Sequence, residues 1–278
     1  MLSFSCVNTR MEKLKRIFTD QRLMSSIFIV AYCLYDWNSM ILWCLLAVWI
    51  VNNTVPLIVH EGWSHNYIKP RFKLLGYLLD LYAYAITTAG NSIYSNKTTW
   101  KIPHIRHHQY WKGEYDHVQW ELRNNTWFTL MFAGSSRDQY PNLNSLAILR
   151  QSKKRVYRDL TPWEIWVDEN NRLVKSTIHL LFFLAVGWEI YFYMLLVPSW
   201  SAAPWIYFFT ELLAHWKKEK QEDEYNKWWL FPIAGCNAFH YSHHACRDEL
   251  HVGRGIFRYL HINYWFIRLF YKQLVPMQ

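Results

Sequence analysis

Histidine is the residue type in this chain whose number and spacing most directly indicate chemistry. The 278 residues include 13 histidines. Most of them fall in three short groups with the spacings HxxxxH, HxxHH and HxxHH: His60 and His65; His104, His107 and His108; His240, His243 and His244. Histidine is the commonest protein ligand of transition metals. The repeated pattern therefore predicts a metal site to which all three groups contribute.

Helical geometry explains these spacings. Residues three and four apart share one helix face, so His104 can direct its imidazole to the same point as His107 or His108. His60 and His65 lie about 140° apart on an ideal α-helix, so they either serve neighbouring ions or converge where the helix is distorted. The imidazoles of three such groups exceed the ligands of one tetrahedral zinc site. Imidazole suits Fe, Cu, Ni and Zn alike, and so rich a cluster fits two ions better than one.

The elements that must position these groups are apolar. Hydrophobic residues make up 52% of the chain and concentrate at about 24–59 and 176–214. Each block is interrupted, the first at 36–39 and the second at 199–204, and a membrane crossing needs roughly 20 helical residues. We therefore predict an all-α integral membrane fold with two transmembrane helical hairpins. Its four spans are expected at about 24–36, 40–59, 178–198 and 200–215.

The remaining segments, 60–175 and 216–278, are expected to form a helical cap that holds the histidines, within a single domain over residues 1–278. Residues 52–54 are Asn, Asn and Thr; because they are costly in lipid, we expect them to face protein. Pro56 is expected to add a kink there. The apolar segment 74–94 contains Asp80, which favours an interfacial or half-buried helix over a full span.

Charge and cysteine content narrow the class further. The chain carries 30 Lys and Arg against 21 Asp and Glu, a net charge of +9. Basic segments at 10–22, 69–73, 97–112 and 150–158 lie on the side of the cap, and the positive-inside rule places that side in the cytoplasm. This distribution favours anionic lipid over nucleic acid as the partner. The five cysteines have no CxxC spacing, which argues against a disulfide framework and a thiolate metal site.

The order of the motifs resembles the membrane fatty acyl desaturases, in particular the acyl-CoA delta-9, stearoyl-CoA desaturase-like type. HxxxxH, HxxHH, a hairpin and HxxHH follow one another, and Trp63-Ser64-His65 matches the first box of that family. Trp100 precedes the second box, and Asp116-His117 follows it. The likeness covers about residues 24–270, almost the whole chain.

This resemblance implies a di-iron enzyme that uses O2 to introduce a cis double bond into an acyl chain. It implies His215 as a ninth ligand, and it places Glu211 where the family typically has an Asn that holds a water on one iron. Glu211 is thus a candidate catalytic residue that orients a water or binds iron, or else a buried carboxylate facing a polar interior. The acyl chain would be carried by CoA, a carrier protein or a lipid. Electrons would come from an external donor such as ferredoxin or cytochrome b5, because the sequence has no nucleotide, flavin or haem motif.

Residues near the three histidine motifs also carry predictions about the acyl carrier and about support of the metal ligands. Asn66 after the first box and 245–251 after the third depart from the family pattern, which weakens coenzyme A as the carrier. The candidates for fixing imidazole tautomers are the acidic residues Glu61, Asp80, Asp116 and Asp248. His117 is a candidate for a structural hydrogen bond near the metals. Ordinary interface roles are expected for His179, His251 and His261.

Three other functions fit parts of the pattern. The same iron scaffold could hydroxylate or decarboxylate acyl chains or oxidise alkanes, although alkane hydroxylases tend to have HxxxHH as the middle box. A metal transporter would place histidines along the membrane path, whereas 180–197 contains none. A basic lipid-binding protein would need no metal. Desaturation is the function that the sequence favours.

Overall fold

The computed structural model describes residues 21–87, 97–110, 158, 160–206, 228–235, 238, 243, 249–250 and 255–276. Most of these residues are helical. The α-helices are α1 (Gln21–Tyr35), α2 (Met40–Pro56), α3 (Lys73–Ile86), α4 (Lys97–Gln109), α5 (Pro162–Glu169), α6 (Asn171–Tyr191), α7 (Val197–Ile206), α8 (Phe231–Ala234) and α9 (Ile262–Phe270). Two π-helices (Leu57–Ser64 and Phe192–Leu196), two 3-10 helices (Trp228–Leu230 and Gly255–Leu260) and two strands, β1 (Ile68–Pro70) and β2 (Tyr271–Gln273), complete the described elements.

The first hairpin consists of α1 and α2, with its turn at the predicted position. The backbone N–H of Met40 donates a 2.8 Å hydrogen bond to Oδ1 of Asn38, which helps to start α2 directly after the turn. Ile29 of α1 and Cys44 of α2 lie in one buried apolar cluster. The polar run at 36–39 therefore ends one arm and begins the next, as the interrupted hydrophobicity indicated.

The second hairpin reverses direction at Gly187, and the predicted break at 199–204 is wrong. Gly187 has φ 79° and ψ 176°, a conformation that is readily available only without a Cβ. His179 and Ser199 contact the same carbonyl oxygen, that of Ala85, at 2.9 and 3.4 Å. In a straight helix these two residues would be about 30 Å apart, so the chain must turn back between them.

Two prolines at the predicted break lie inside a helix. Pro198 and Pro204 both belong to α7, which follows the π-helix Phe192–Leu196. The Ser199 hydroxyl donates to the Leu195 carbonyl at 2.6 Å, and the Ser201 hydroxyl donates to the Pro198 carbonyl at 2.8 Å. Serine hydroxyls of this kind supply bonds that a proline-interrupted ladder lacks. The helix continues to 206, and the rest of the predicted fourth span lies outside the described residues.

The turns of the two hairpins lie at the same end of the molecule. Nδ2 of Asn38 donates to Oε1 of Glu189 at 3.2 Å, and these residues adjoin the two turns. At the opposite end of α2, Nδ2 of Asn52 donates to Oγ of Ser201 at 2.8 Å. Residues 52–54 are buried, as predicted. Since the first histidine motif follows directly after α2, the far end of the hairpin pair presents it.

The outer surface of both hairpins is apolar. Exposed large hydrophobic side chains include Ile27, Leu34, Leu42, Leu45, Leu173, Leu180, Leu181 and Leu184. Two helical stretches are long and apolar enough to cross a membrane, Met40–Ser64 and Asn171–Ala202, and the second contains the reversal at Gly187. Large apolar surfaces of this kind mark contact with lipid or with another protein.

Short strands join the segment after the first histidine motif to the C-terminal part of the chain. β1 pairs antiparallel with β2, with Ile68 opposite Gln273. Nη2 of Arg71 donates to the Arg268 carbonyl at 2.7 Å. α3 is half-buried: Leu74 and Leu78 are exposed, whereas 83–86 are buried in the main core around the first π-helix. The described part of the predicted 74–94 helix therefore matches the half-buried form.

Candidate metal centre

A π-helix brings the two histidines of the first motif together. The segment Leu57–Ser64 follows Pro56, which interrupts the α-helical ladder. The His65 N–H donates to the His60 carbonyl at 3.1 Å, which is the i→i+5 bond of a π-helix. This wider turn places residues five apart on nearly the same face. The imidazole centroids of His60 and His65 are consequently 5.0 Å apart. Of the two alternatives that the sequence left open, convergence through a distorted helix is therefore the one observed.

Five imidazoles from all three motifs meet at one point. Each offers a ring nitrogen, and these nitrogens all lie within 4.8 Å of one another: His60, His65, His104, His108 and His243. The helix α4 supplies His104 and His108 from one face, with ring centroids 4.6 Å apart. Three of the five are buried and two are half-buried. The arrangement is a cluster of nitrogen donors that could hold a metal ion.

The nitrogen separations fit shared coordination. Nε2 of His104 lies 2.8 Å from Nε2 of His65, and Nε2 of His243 lies 3.1 Å from Nε2 of His108. Two imidazole nitrogens bound to one ion at about 2.1 Å and at right angles would be about 3 Å apart. Both closest pairs therefore have the spacing of neighbouring ligands, and each pair joins two different motifs.

The environment of His104 opposes protonation of its imidazole. Burial lowers the pKa of His104 well below its ordinary value, and the neighbouring imidazoles of His60 and His65 lower it further. At neutral pH its ring therefore carries a lone pair for an ion rather than a second proton. Tyr67 stacks on His65 with ring centroids 4.8 Å apart and an interplanar angle of 21°, which restricts the orientation of that imidazole.

Glu61 is a buried carboxylate beside two of the five histidines. Its Oε1 accepts a 2.9 Å hydrogen bond from Nδ1 of His60 and lies 3.9 Å from Nδ1 of His243. Its Oε2 is buried and has no hydrogen-bond partner among the described residues. A carboxylate at Nδ1 fixes the tautomer and presents Nε2 to an ion. Glu61 thus occupies the position predicted for a residue that orients a ligand.

The other predicted site residues divide into two sets. His107 is buried beside the cluster, with its ring centroid 5.6 Å from that of His108, but it is not one of the five converging histidines. The following predicted residues lie outside the described part of the chain: Asp116, His117, Glu211, His215, His240, His244, Asp248 and His251.

Asp80 has a different role from the one predicted. Its Oδ1 accepts from Nε1 of Trp63 at 2.8 Å, and its Oδ2 accepts from Nζ of Lys97 at 2.6 Å. Within the described part of the chain, these contacts join Asp80 to the elements that carry the histidines and not to an imidazole. Lys97 and Glu164, which meet at 2.7 Å, were not anticipated. Their separation of 67 residues leaves no local pattern from which the pair could be recognised.

The two described histidines outside the site, His179 and His261, contact residues of neighbouring elements, as expected for ordinary interface histidines. His179 contacts the Ala85 carbonyl and the Tyr191 hydroxyl, at 2.9 and 3.1 Å. His261 begins α9, where its Nδ1 accepts from the Asn263 N–H at 3.3 Å. The imidazole of His261 also lies against Trp49, at a centroid distance of 5.5 Å.

No protein-family model, curated protein or solved structure matches this chain.

The donor set determines what the site can do chemically. Nitrogen donors with one adjacent carboxylate suit first-row transition metals such as Fe, Cu, Ni and Zn. The same set does not suit Mg²⁺ or Ca²⁺, which prefer oxygen ligands. The chain therefore has a histidine cluster whose geometry could hold a transition-metal ion.

Proposed function

We propose that this protein is a multi-pass membrane enzyme, an O2-dependent di-iron fatty acyl desaturase. The observation that carries the proposal is the convergence of histidines from all three motifs within 4.8 Å. That convergence was predicted from motifs whose order resembles the desaturase family. A chance set of histidines in a chain of this length would not be expected to meet at one buried point.

The apolar hairpins support membrane insertion. The two hairpin turns adjoin each other through Asn38 and Glu189, and the histidine cluster begins after the opposite end of α2. In the proposal, α1, α2 and the two arms on either side of Gly187 form four spans. The cluster then lies beside the cytoplasmic face, where a buried acyl chain could extend from the bilayer to the metal centre.

The buried carboxylate of Glu61 supports a cationic occupant. Moving a carboxylate out of water is costly unless a cation or several hydrogen bonds compensate it. One of its oxygens bonds to His60, and metal ions at the cluster would compensate the charge. Five imidazole donors meet here, which is more than the four ligands of one tetrahedral ion, and this favours two ions.

In this proposal the five converging histidines hold the ions, with His107, His215, His240 and His244 as the further ligands that the resemblance implies. Bound iron supplies the oxidising chemistry with O2. The chain's own residues orient the imidazoles, through Glu61 and Tyr67, and exclude water by burying the site. The substrate is an acyl chain carried by CoA, a carrier protein or a lipid, and electrons come from an external protein donor.

The proposal is tested by metal analysis and lipid analysis of cells that express the chain. We expect two iron ions per anaerobically purified chain and new cis-monounsaturated acyl chains, both lost in His104→Ala. His179→Asn is the matched control, because His179 lies outside the cluster, and it should retain both. Hydroxylated or shortened products would assign the same scaffold to hydroxylation or decarboxylation. Absence of stoichiometric metal from the wild-type protein would overturn the proposal.

A further inference from the structure

A buried ion triad lies beside the histidine cluster. Nζ of Lys97 donates to Oδ2 of Asp80 at 2.6 Å and to Oε1 of Glu164 at 2.7 Å. The Lys97 side chain is only 10% exposed. An unpaired charge at this depth would be costly, because the surroundings have a low dielectric constant. Removing one member of the triad would therefore leave a buried charge without one of its partners.

Each member of the triad belongs to a different element of the site. Lys97 is the first residue of α4, the helix that carries His104 and His108. Asp80 lies on α3 and Glu164 on α5. The triad therefore joins the start of the second histidine helix to two neighbouring helices.

Trp63 extends this network to the first histidine motif. Its indole Nε1 donates to Oδ1 of Asp80 at 2.8 Å, while Oδ2 of the same carboxylate binds Lys97. Trp63 lies in the π-helix between His60 and His65. The ammonium of Lys97 also lies 5.6 Å from the centroid of the Trp63 ring, a cation–π distance. Two contacts thus connect the start of α4 with the π-helix.

The network is held from the other side as well. Oε2 of Glu164 accepts from the N–H and the hydroxyl of Thr161, at 2.8 and 2.7 Å, in a capping box that starts α5. The backbone N–H of Lys97 donates to the Tyr84 hydroxyl at 3.4 Å. Because both carboxylates are fixed by other bonds, the position of the ammonium is fixed by the protein and not by solvent.

We propose that Lys97, with Asp80 and Glu164, is a positioning group that sets the separation between the first-motif π-helix and α4. The inference rests on the proposed function in that the separation matters because the two elements supply His60, His65, His104 and His108 to one metal centre. The triad acts on the metal centre through the backbone elements that carry these histidines. Bonds that orient metal ligands typically change metal affinity 10–100-fold when lost.

The test compares Lys97→Met with Lys272→Met in the purified, metal-free full chain. Lys272 is exposed on β2 and serves as the matched control. Hydrogen exchange followed by mass spectrometry should show faster exchange in both 57–65 and 97–109 in Lys97→Met, by about 10-fold, and no change in the control. Co²⁺ alone is then titrated: its affinity should fall about 10–100-fold and its visible spectrum should change.

A second variant covers the case in which Lys97→Met does not fold. Trp63→Phe keeps all three charges and an aromatic ring but removes the indole bond to Asp80, so faster exchange is expected in 57–65 and not in 97–109. Unchanged exchange in both segments of Lys97→Met and in Trp63→Phe would overturn the positioning role. Failure of the wild-type chain to bind Co²⁺ would instead count against the metal centre, and the exchange data would still decide the role of the triad.

Discussion

At the scale of single residues, Glu61 connects the chemistry of the site to its electrostatics. Its carboxylate bonds to Nδ1 of His60 and is 2% exposed. We expect Glu61→Gln to weaken metal binding about 10–100-fold, because the amide removes the negative charge that strengthens the imidazole as a ligand. The measurement is competitive Co²⁺ titration, with the exposed Glu169→Gln as control. Equal affinities for the two variants would show that Glu61 does not orient a ligand.

His261 gives a residue-scale prediction about pH. Burial lowers the pKa of His261 to about 4, whereas an unfolded histidine titrates near 6.5. Below pH 6.5 the unfolded chain therefore takes up a proton that the folded chain refuses, and stability falls as the pH decreases toward 4. Between pH 7.5 and 4.5 this residue should account for a loss of about 2.5 kcal/mol.

The measurement is chemical unfolding in detergent at both pH values for the wild type and His261→Asn. Asn is chosen because it is also a good N-cap and does not titrate. The variant is expected to have a smaller pH-dependent loss of stability than the wild type. Parallel pH profiles would mean that the environment of His261 does not oppose its protonation.

How far the sequence predicts the site depends on the range of the interactions. His104 and His108 could be placed together in advance because local spacing determines which side chains share a helix face. The convergence of His60 and His65 depends on the π-helix after Pro56, which spacing alone left open. Lys97 and Glu164 could not be paired in advance, since they are distant in sequence and each is an ordinary charged residue by composition. The pair is notable because it is largely buried, and burial is a property of the tertiary structure.

At the scale of elements, the position of the second turn shows that a proline need not end a helix. Proline usually ends a helix because it removes a hydrogen bond, but Ser199 and Ser201 provide hydroxyl bonds beside Pro198. Gly187 lies within a mostly apolar run in which Glu189 is the one charged residue nearby, so no polar break like that at 36–39 marks the reversal. The prediction of two hairpins is consistent with the observed contacts, while the turn itself depends on a single backbone conformation.

Gly187 therefore allows an element-scale test. Gly187→Ala should destabilise the protein by about 1–3 kcal/mol, because φ 79° with ψ 176° is strained for any residue with a Cβ. The cost would be conformational and not steric, since no atom lies within 4 Å of the position of the added Cβ. Gly62→Ala is the control: its Cβ would meet Ile68 at an ordinary 3.8 Å. Equal unfolding midpoints for both variants would argue against the reversal at Gly187.

At the scale of the whole molecule, the arrangement separates an apolar region from a polar one. The hairpins expose aliphatic side chains on their outer surfaces, while their buried ends carry Asn52, Asn53 and Thr54 at the approach to the histidine cluster. An enzyme that acts on acyl chains needs this combination, because its substrate partitions into lipid while its metal centre requires polar support. The charge excess of +9 is consistent with attachment of the cap to anionic lipid head groups.

Leu181 allows this arrangement to be tested. It lies on the outer surface of α6 and is 61% exposed. If that surface faces the bilayer core, Leu181→Asp should oppose insertion by about 2.5–3.5 kcal/mol, the cost of a charged residue at the centre of a membrane helix. Leu274 is 52% exposed but lies outside both hairpins, so Leu274→Asp introduces the same charge at a matched surface position. The measurement is the fraction of each variant that resists alkaline extraction from membranes. We expect a large loss for Leu181→Asp alone; equal fractions would mean that the second hairpin is covered by protein and not by lipid.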